Sequence, residues 1–205
     1  MTPAMASPGD RVIVTKGCAI ETAAVAAALF PRRLAAELAA AGLPEEALDR
    51  LRALEAQVSV VADCRAAVQL GVRERGVTAM HDATEGGVLG GLVELAKACG
   101  HDVRIERARI PLAPEIRVAC EVLGVDPYTT LAGGALLCCA RAERASDVLS
   151  ALAAAGIVAA EIGEVMKGSG RLWIAEPNGA VTKLDDPPAD PYWDAYAKAV
   201  REEWR

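Results

Sequence analysis

Thr78-Ala79-Met80-His81-Asp82-Ala83-Thr84-Glu85-Gly86-Gly87-Val88-Leu89 passes from a short apolar run into a polar turn, and then through two glycines into a helical stripe. Val77–Met80 reads as a strand, and His81, Asp82, Thr84 and Glu85 as the turn. Val88–Cys99 reads as a helix whose apolar face carries Leu89, Leu92, Val93 and Ala96. Each glycine in a first helical turn costs about 1 kcal/mol relative to alanine. Such a cost is explained if something must approach the helix start closely. An anion such as phosphate is one candidate, drawn by unpaired amides and the positive end of the helix dipole. The chain itself is the other: Asp82 as N-cap with Glu85 in a capping-box pair, and glycines that permit tight helix–sheet packing. Both readings stand on the residues alone.

Upstream, Thr15-Lys16-Gly17-Cys18-Ala19-Ile20-Glu21 repeats the layout, with Arg11–Lys16 as strand and Ile20–Leu29 as an alanine-rich helix stopped by Pro31. Lysine beside first-turn amides suits a phosphate, although P-loop spacing is absent. Cys18 at the helix start reads either as a buried small residue or as a thiol of lowered pKa. Downstream, Asp126-Pro127-Tyr128-Thr129-Thr130-Leu131-Ala132-Gly133-Gly134 leads into the apolar strand Ala135–Ala140. Cys138 and Cys139 are adjacent on that strand and point to opposite faces, which disfavours a shared metal. His81 and His101 are the only histidines, so no metal site is expected.

The rest of the pattern mixes strands and helices without strict alternation. Residues 32–56 read as a helical hairpin and Cys64–Arg75 as a helix. Val103–Glu106 is a strand, and Pro114 opens a helix through Leu123. Ala142–Ala155 (helix), Ile157–Ile162 (strand), a hairpin turn at Lys167–Gly170 and Leu172–Ala175 (strand) follow. The expected fold is α+β, a mixed β-sheet packed with helices, in a single domain over 1–184. Residues 185–205 form a proline-rich acidic linker and a C-terminal helix from Tyr192 to Trp204.

Hydrophobic residues make up 53% of the 205, which marks a globular chain. With 43 alanines, much of that apolar content is small side chains suited to close helix contacts. Aromatics at 3% and a net charge of −6 disfavour a nucleic-acid surface or an anionic membrane. Neither a targeting signal nor a membrane-spanning run is evident. Six cysteines without a C-x-x-C pair read as reduced thiols in a cytoplasmic protein.

Taken in order, these stretches resemble the C-terminal domain of the AIR synthase superfamily, whose members include AIR synthetase, thiamine-phosphate kinase and the hydrogenase-maturation HypE proteins. The resemblance rests on Pro8–Gly17, on His81–Gly87, on Asp126-Pro127 through Leu137, and on Ile162-Gly163-Glu164-Val165. It spans nearly the whole chain and is nearest to HypE-like and AIR synthase-related proteins. It implies a substrate-side half of an ATP-dependent enzyme, with nucleotide and acidic metal ligands in an N-terminal domain that this sequence lacks. Where HypE proteins have Asn-Glu-Gly, this chain has Ala132-Gly133-Gly134, which removes a candidate acid/base carboxylate.

The expectation is therefore a HypE-like C-terminal half with no independent activity and no cofactor of its own. ATP and Mg²⁺ would be used beside an N-terminal ATP-binding domain, or the chain would self-associate. The alternative is a non-catalytic module for a small anionic ligand or a partner subunit. If the two strands run parallel, Lys16 and Gly17 would join Thr84, Glu85, Gly86 and Gly87 around one anion. Glu85 would then point to solvent or hold a metal that the anion also touches. His81, Asp82, Gly133 and Gly134 are secondary candidates, and the catalytic residues stay unassigned.

Overall fold

The computed structural model describes residues 1–204. Its strands are β1 (Arg11–Thr15), β2 (Val77–Ala83), β3 (Asp102–Glu106), β4 (Ala135–Ala140), β5 (Ala159–Met166), β6 (Leu172–Ala175) and β7 (Val181–Leu184). The helices are α1 (Ile20–Leu29), α2 (Pro31–Ala40), α3 (Ala47–Ala53), α4 (Val61–Ala67), α5 (Gly87–Cys99), α6 (Pro114–Leu123), α7 (Ala145–Ala154) and α8 (Tyr192–Arg201).

The strands form one sheet in the order β2-β4-β1-β5-β3-β6-β7. Its neighbours pair antiparallel except β3 and β6, which run parallel. This is the mixed sheet with packed helices that the α+β expectation describes. Along β4, Ala135, Leu137 and Cys139 enter the larger core, while Leu136, Cys138 and Ala140 enter a smaller one on the opposite face. Both faces of this strand are covered, so its sequence is apolar throughout rather than alternating. The larger core holds α1 and α5; the smaller holds Ala66 and Ala67 of α4 and Val148 and Leu152 of α7. On α1, Ala23, Ala26 and Ala27 are buried in the larger core, and side chains this small allow the close packing of α1 against α3 and α6.

One buried carboxylate pins the sheet beneath this packing. Asp10 accepts hydrogen bonds from Thr78 Oγ1 at 2.7 Å and Arg141 Nη1 at 3.0 Å, tying the entry of β1 to β2 and to the exit of β4. Buried charge is tolerated when it is paired and hydrogen-bonded in this way.

Four local expectations are corrected. β2 continues through His81, Asp82 and Ala83, because these residues pair with Leu137, Leu136 and Ala135 of β4. The helix expected at Cys64–Arg75 stops at Ala67; the chain then turns at Gly71 and makes a short 3₁₀ turn over Arg73–Arg75. Lys167–Gly170 closes no β5–β6 hairpin, since β3 lies between those strands. Finally, β7 is an additional strand, paired with β6 at the sheet edge.

The terminal segment folds back on the domain. Ala199 of α8 is buried in the larger core, and Phe30 meets the rings of Tyr196 and Trp204 at 6.4 and 6.0 Å. Trp193 alone among the segment's aromatics is largely in solvent, at 58% exposed.

Candidate functional site

β1 and β2 are each antiparallel to β4, so they run in the same direction on either side of it. Their C-terminal ends and the start of β4 therefore lie at one end of the sheet. Lys16-Gly17, Thr84–Gly87 and Gly133-Gly134 are gathered there, as the parallel-strand condition required. With β4 between them, the first two turns stand roughly 10 Å apart, two strand spacings.

Lys16 is turned toward the segment 57–63. Its ammonium donates to the carbonyls of Gln57 and Ser59 at 3.0 and 3.1 Å and to Asp63 Oδ2 at 3.0 Å. The two side chains are only 10% and 2% exposed. Breaking a buried pair of this kind by removing one partner typically costs about 3–5 kcal/mol. The backbone turns sharply here, with φ of +61° at Lys16 and +52° at Ala19, conformations that L residues adopt only when their surroundings impose them. Gly17 has no room for a side chain, because a β-carbon would strike the Pro111 carbonyl.

At α5 the glycines have a definite task. Gly86 and Gly87 have φ of +74° and +66°, and a β-carbon on Gly87 would fall 2.8 Å from the Thr130 carbonyl. At this helix start the amides of Gly86, Gly87 and Leu89 are engaged by the chain. Gly86 N–H donates to Asp190 Oδ2 at 2.9 Å and Leu89 N–H to the Tyr128 carbonyl at 3.0 Å. A carboxylate does sit at this helix start, and it is the protein's own. The capping box is corrected, since Asp82 lies in β2 and Gly86 is the N-cap. His81 instead pairs with Glu94 of α5, Nε2 to Oε2 at 2.7 Å.

Thr84 and Glu85 border a cleft of about 580 Å³ shared with Glu21, Leu131, Tyr192 and Tyr196. Gly133 lies beside it, and the Glu21 carboxylate fills the space that a side chain at 133 would enter. Gly134, at φ +103°, packs against the backbone of Gln57 and Val58. Sequence reasoning noted Glu21 without weighing it, and missed Asp63 and Asp190. Each of these carboxylates meets its counterpart only through the fold.

Cys18 is not an activated thiol. Burial pushes its pKa well above the ordinary value, with Cys120 and Asp126 adding to the rise. All six cysteines are free, and burial likewise pushes Cys120 and Cys138 up to about 12. Among the described residues no group of three or more His, Cys, Asp or Glu side chains is placed to hold a metal ion. Nor is any described helix long and apolar enough to cross a membrane.

A mixed sheet with strand–glycine–helix turns at one end defines a class, and the family described as AIR synthase related protein, C-terminal domain, matches residues 7–174. The chain belongs to that family. Within it, the chain is 38% identical over 118 residues to carbamoyl dehydratase HypE of Escherichia coli K12, covering 57% of this chain and 35% of that protein. The crystal structure of E. coli HypE superposes with a TM-score of 0.70 at 28% identity, over 92% of this chain and 53% of that one. A HypE solved in complex with ATP shares the fold, with a TM-score of 0.65 at 19% identity over 93% of this chain and 54% of that one. The chain thus spans about half the length of these structures.

Proposed function

We propose that the chain acts as the C-terminal, substrate-side half of a HypE-like, ATP-dependent enzyme, beside a domain that binds ATP and Mg²⁺. The observation that carries this reading is the superposition: nearly all of this chain matches about half of E. coli HypE. The chain's own residues do not fit a magnesium triphosphate. Lys16 is committed to Asp63, the N-cap amide of Gly86 to Asp190, and no acidic cluster among the described residues is placed to share an ion. ATP and metal are therefore assigned to the other domain, and no step is routed through them here.

At the sheet end, the carboxylates available for proton transfer are Glu21 and Glu85, which border the same cleft. The Glu21 carboxylate fills the space beside Gly133, in the turn that by resemblance corresponds to the Asn-Glu-Gly of HypE proteins. A general acid or base needs a carboxylate at the reacting atoms rather than at a particular place in the sequence.

The test is a titration of the purified chain with ATP-Mg²⁺, alone and with the separately produced N-terminal domain of E. coli HypE. Alone, we expect weak nucleotide binding and no turnover; together, association and ATP hydrolysis. Micromolar ATP binding or turnover by the chain alone overturns the division of labour. Failure of the two parts to associate favours the alternative, a non-catalytic binding module.

A further inference from the structure

Two clefts open side by side where α1 meets α8. The first is the cleft of about 580 Å³ bordered by Glu21 and Glu85, and Trp193 also lines it. The second, of about 170 Å³, is lined by Phe30, Val200, Glu203 and Trp204. Leu29 and Tyr196 line both, so the two clefts belong to one continuous face. Helical spacing explains why that face is apolar. On α8, Tyr192 and Ala199 are buried against the domain, while Trp193 and Val200, also seven residues apart, project about 100° further round the helix. Trp193 is 58% exposed, Val200 52% and Leu29 46%. Single apolar side chains on a surface need no explanation, but a continuous apolar patch marks an interaction site. Trp193 is also braced, since its ring meets those of Tyr192 and Tyr196 edge-on at 5.2 and 6.5 Å. A half-exposed tryptophan that is already held in place makes a strong interface anchor.

We propose that this face docks a basic amphipathic helix of a partner protein, with its apolar side chains in the two clefts and its Lys or Arg residues against Glu21, Glu85 and Glu203. Length and charge select this partner. Trp193 and Val200 stand two helical turns apart, about 10 Å, which matches residues i and i+7 on the apolar face of a docked helix. Among the described residues, every charged side chain that lines either cleft is a carboxylate. A second copy of the chain is therefore the wrong partner. Two-fold pairing of this face would set its carboxylates against one another, and like charges brought together in an interface repel. A basic segment gains the same carboxylates as partners. The net charge of −6 draws such a segment from a distance as well. The proposal goes beyond the ATP-dependent reading and does not rest on it: docking needs the face alone.

The test titrates the full chain, ¹⁵N-labelled, with synthetic peptides about four helical turns long. One carries leucines on one helix face and lysines on the other. The second has glutamates in place of the lysines, and the third scrambles the leucine–lysine order so that no apolar face forms. The basic helix should give saturable shifts at the amides of Leu29 and Val200 and at the Trp193 indole N–H. The other two peptides should bind about tenfold more weakly or worse. Trp193→Ser combined with Val200→Ser, both at exposed positions, should weaken the basic helix by about tenfold and leave the far-ultraviolet circular dichroism unchanged. Glu85→Gln combined with Glu203→Gln should weaken it too, and should reduce its sensitivity to salt. Four results would each overturn the proposal: no saturation, shifts centred elsewhere on the chain, equal binding of either comparison peptide, or an affinity untouched by the two serines. So would self-association through this face, seen as a sedimentation coefficient that rises with concentration in the parent and not in the serine variant. No turnover is measured, so the outcome is separate from that of the ATP titration.

Discussion

The carboxylate of Glu21, on the first turn of α1, occupies the space that a β-carbon on Gly133 would need. The obstacle is the far end of a flexible side chain, and Gly133 does not require a left-handed backbone. Gly133→Ala should therefore displace Glu21 at a stability cost below about 1 kcal/mol. The neighbouring glycine differs. Gly134 has φ +103° and faces the backbone of Gln57 and Val58, which cannot swing away. Gly134→Ala should cost roughly 1–3 kcal/mol. Urea unfolding of both variants checks the contrast, and equal losses would contradict it.

Lys16 and Asp63 make a second prediction. Lys16→Met leaves a buried carboxylate without its counter-charge, and should lower stability by about 3–5 kcal/mol. Adding Asp63→Leu removes the stranded charge and should recover most of the loss. Thermal unfolding of the single and double variants decides the matter. A double variant no more stable than Lys16→Met would show that packing rather than charge sets the cost.

These two cases also show where the sequence was legible. α5 was readable from its apolar face of Leu89, Leu92, Val93 and Ala96, and α6 from Pro114, which opens it at the first helical position. β4 was readable because a strand buried on both faces is apolar at every position. β7 was not: Val181, Thr182 and Lys183 are exposed on an edge strand, so no burial pattern marks them. The end of β2 was missed because His81 and Asp82 are polar, and only their pairing with β4 makes them strand. At the site, the glycine turns announced close approaches but not their partners. Lys16 meets an aspartate 47 residues away and Gly86 one 104 residues away. Such separations leave no local signal.

The Gly86–Asp190 contact has a measurable consequence. Asp190 Oδ2 accepts from Gly86 N–H, and Oδ1 accepts from Tyr192 N–H at 2.9 Å, so one carboxylate joins the start of α5 to the start of α8. Asp190→Ala removes both acceptors and should cost about 1 kcal/mol, as for loss of a helix cap. Its larger effect should be local, with faster proteolysis within residues 185–191 while the rest of the chain stays resistant. Unchanged cleavage kinetics would mean that α8 is held by its aromatic packing on Phe30 alone.

The last prediction concerns pH. Burial acts to raise the pKa of Asp102, but hydrogen bonds from Trp173 Nε1 and from the amides of Ser169 and Arg171 outweigh it and hold the carboxyl below its usual value. A carboxyl whose pKa is depressed by folding contributes stability that is fully present above its unfolded pKa of about 3.9. That contribution fades as pH falls through the lower native value, because the unfolded chain then binds the proton more readily. Asp102→Asn, which cannot ionise, should be less stable than the parent at neutral pH, and the gap should narrow below roughly pH 4. Urea unfolding of the pair between about pH 3 and 7 measures that gap. A difference that stays constant across the range would mean that Asp102 anchors the Ser169–Arg171 loop by shape and hydrogen bonding, with its charge contributing nothing.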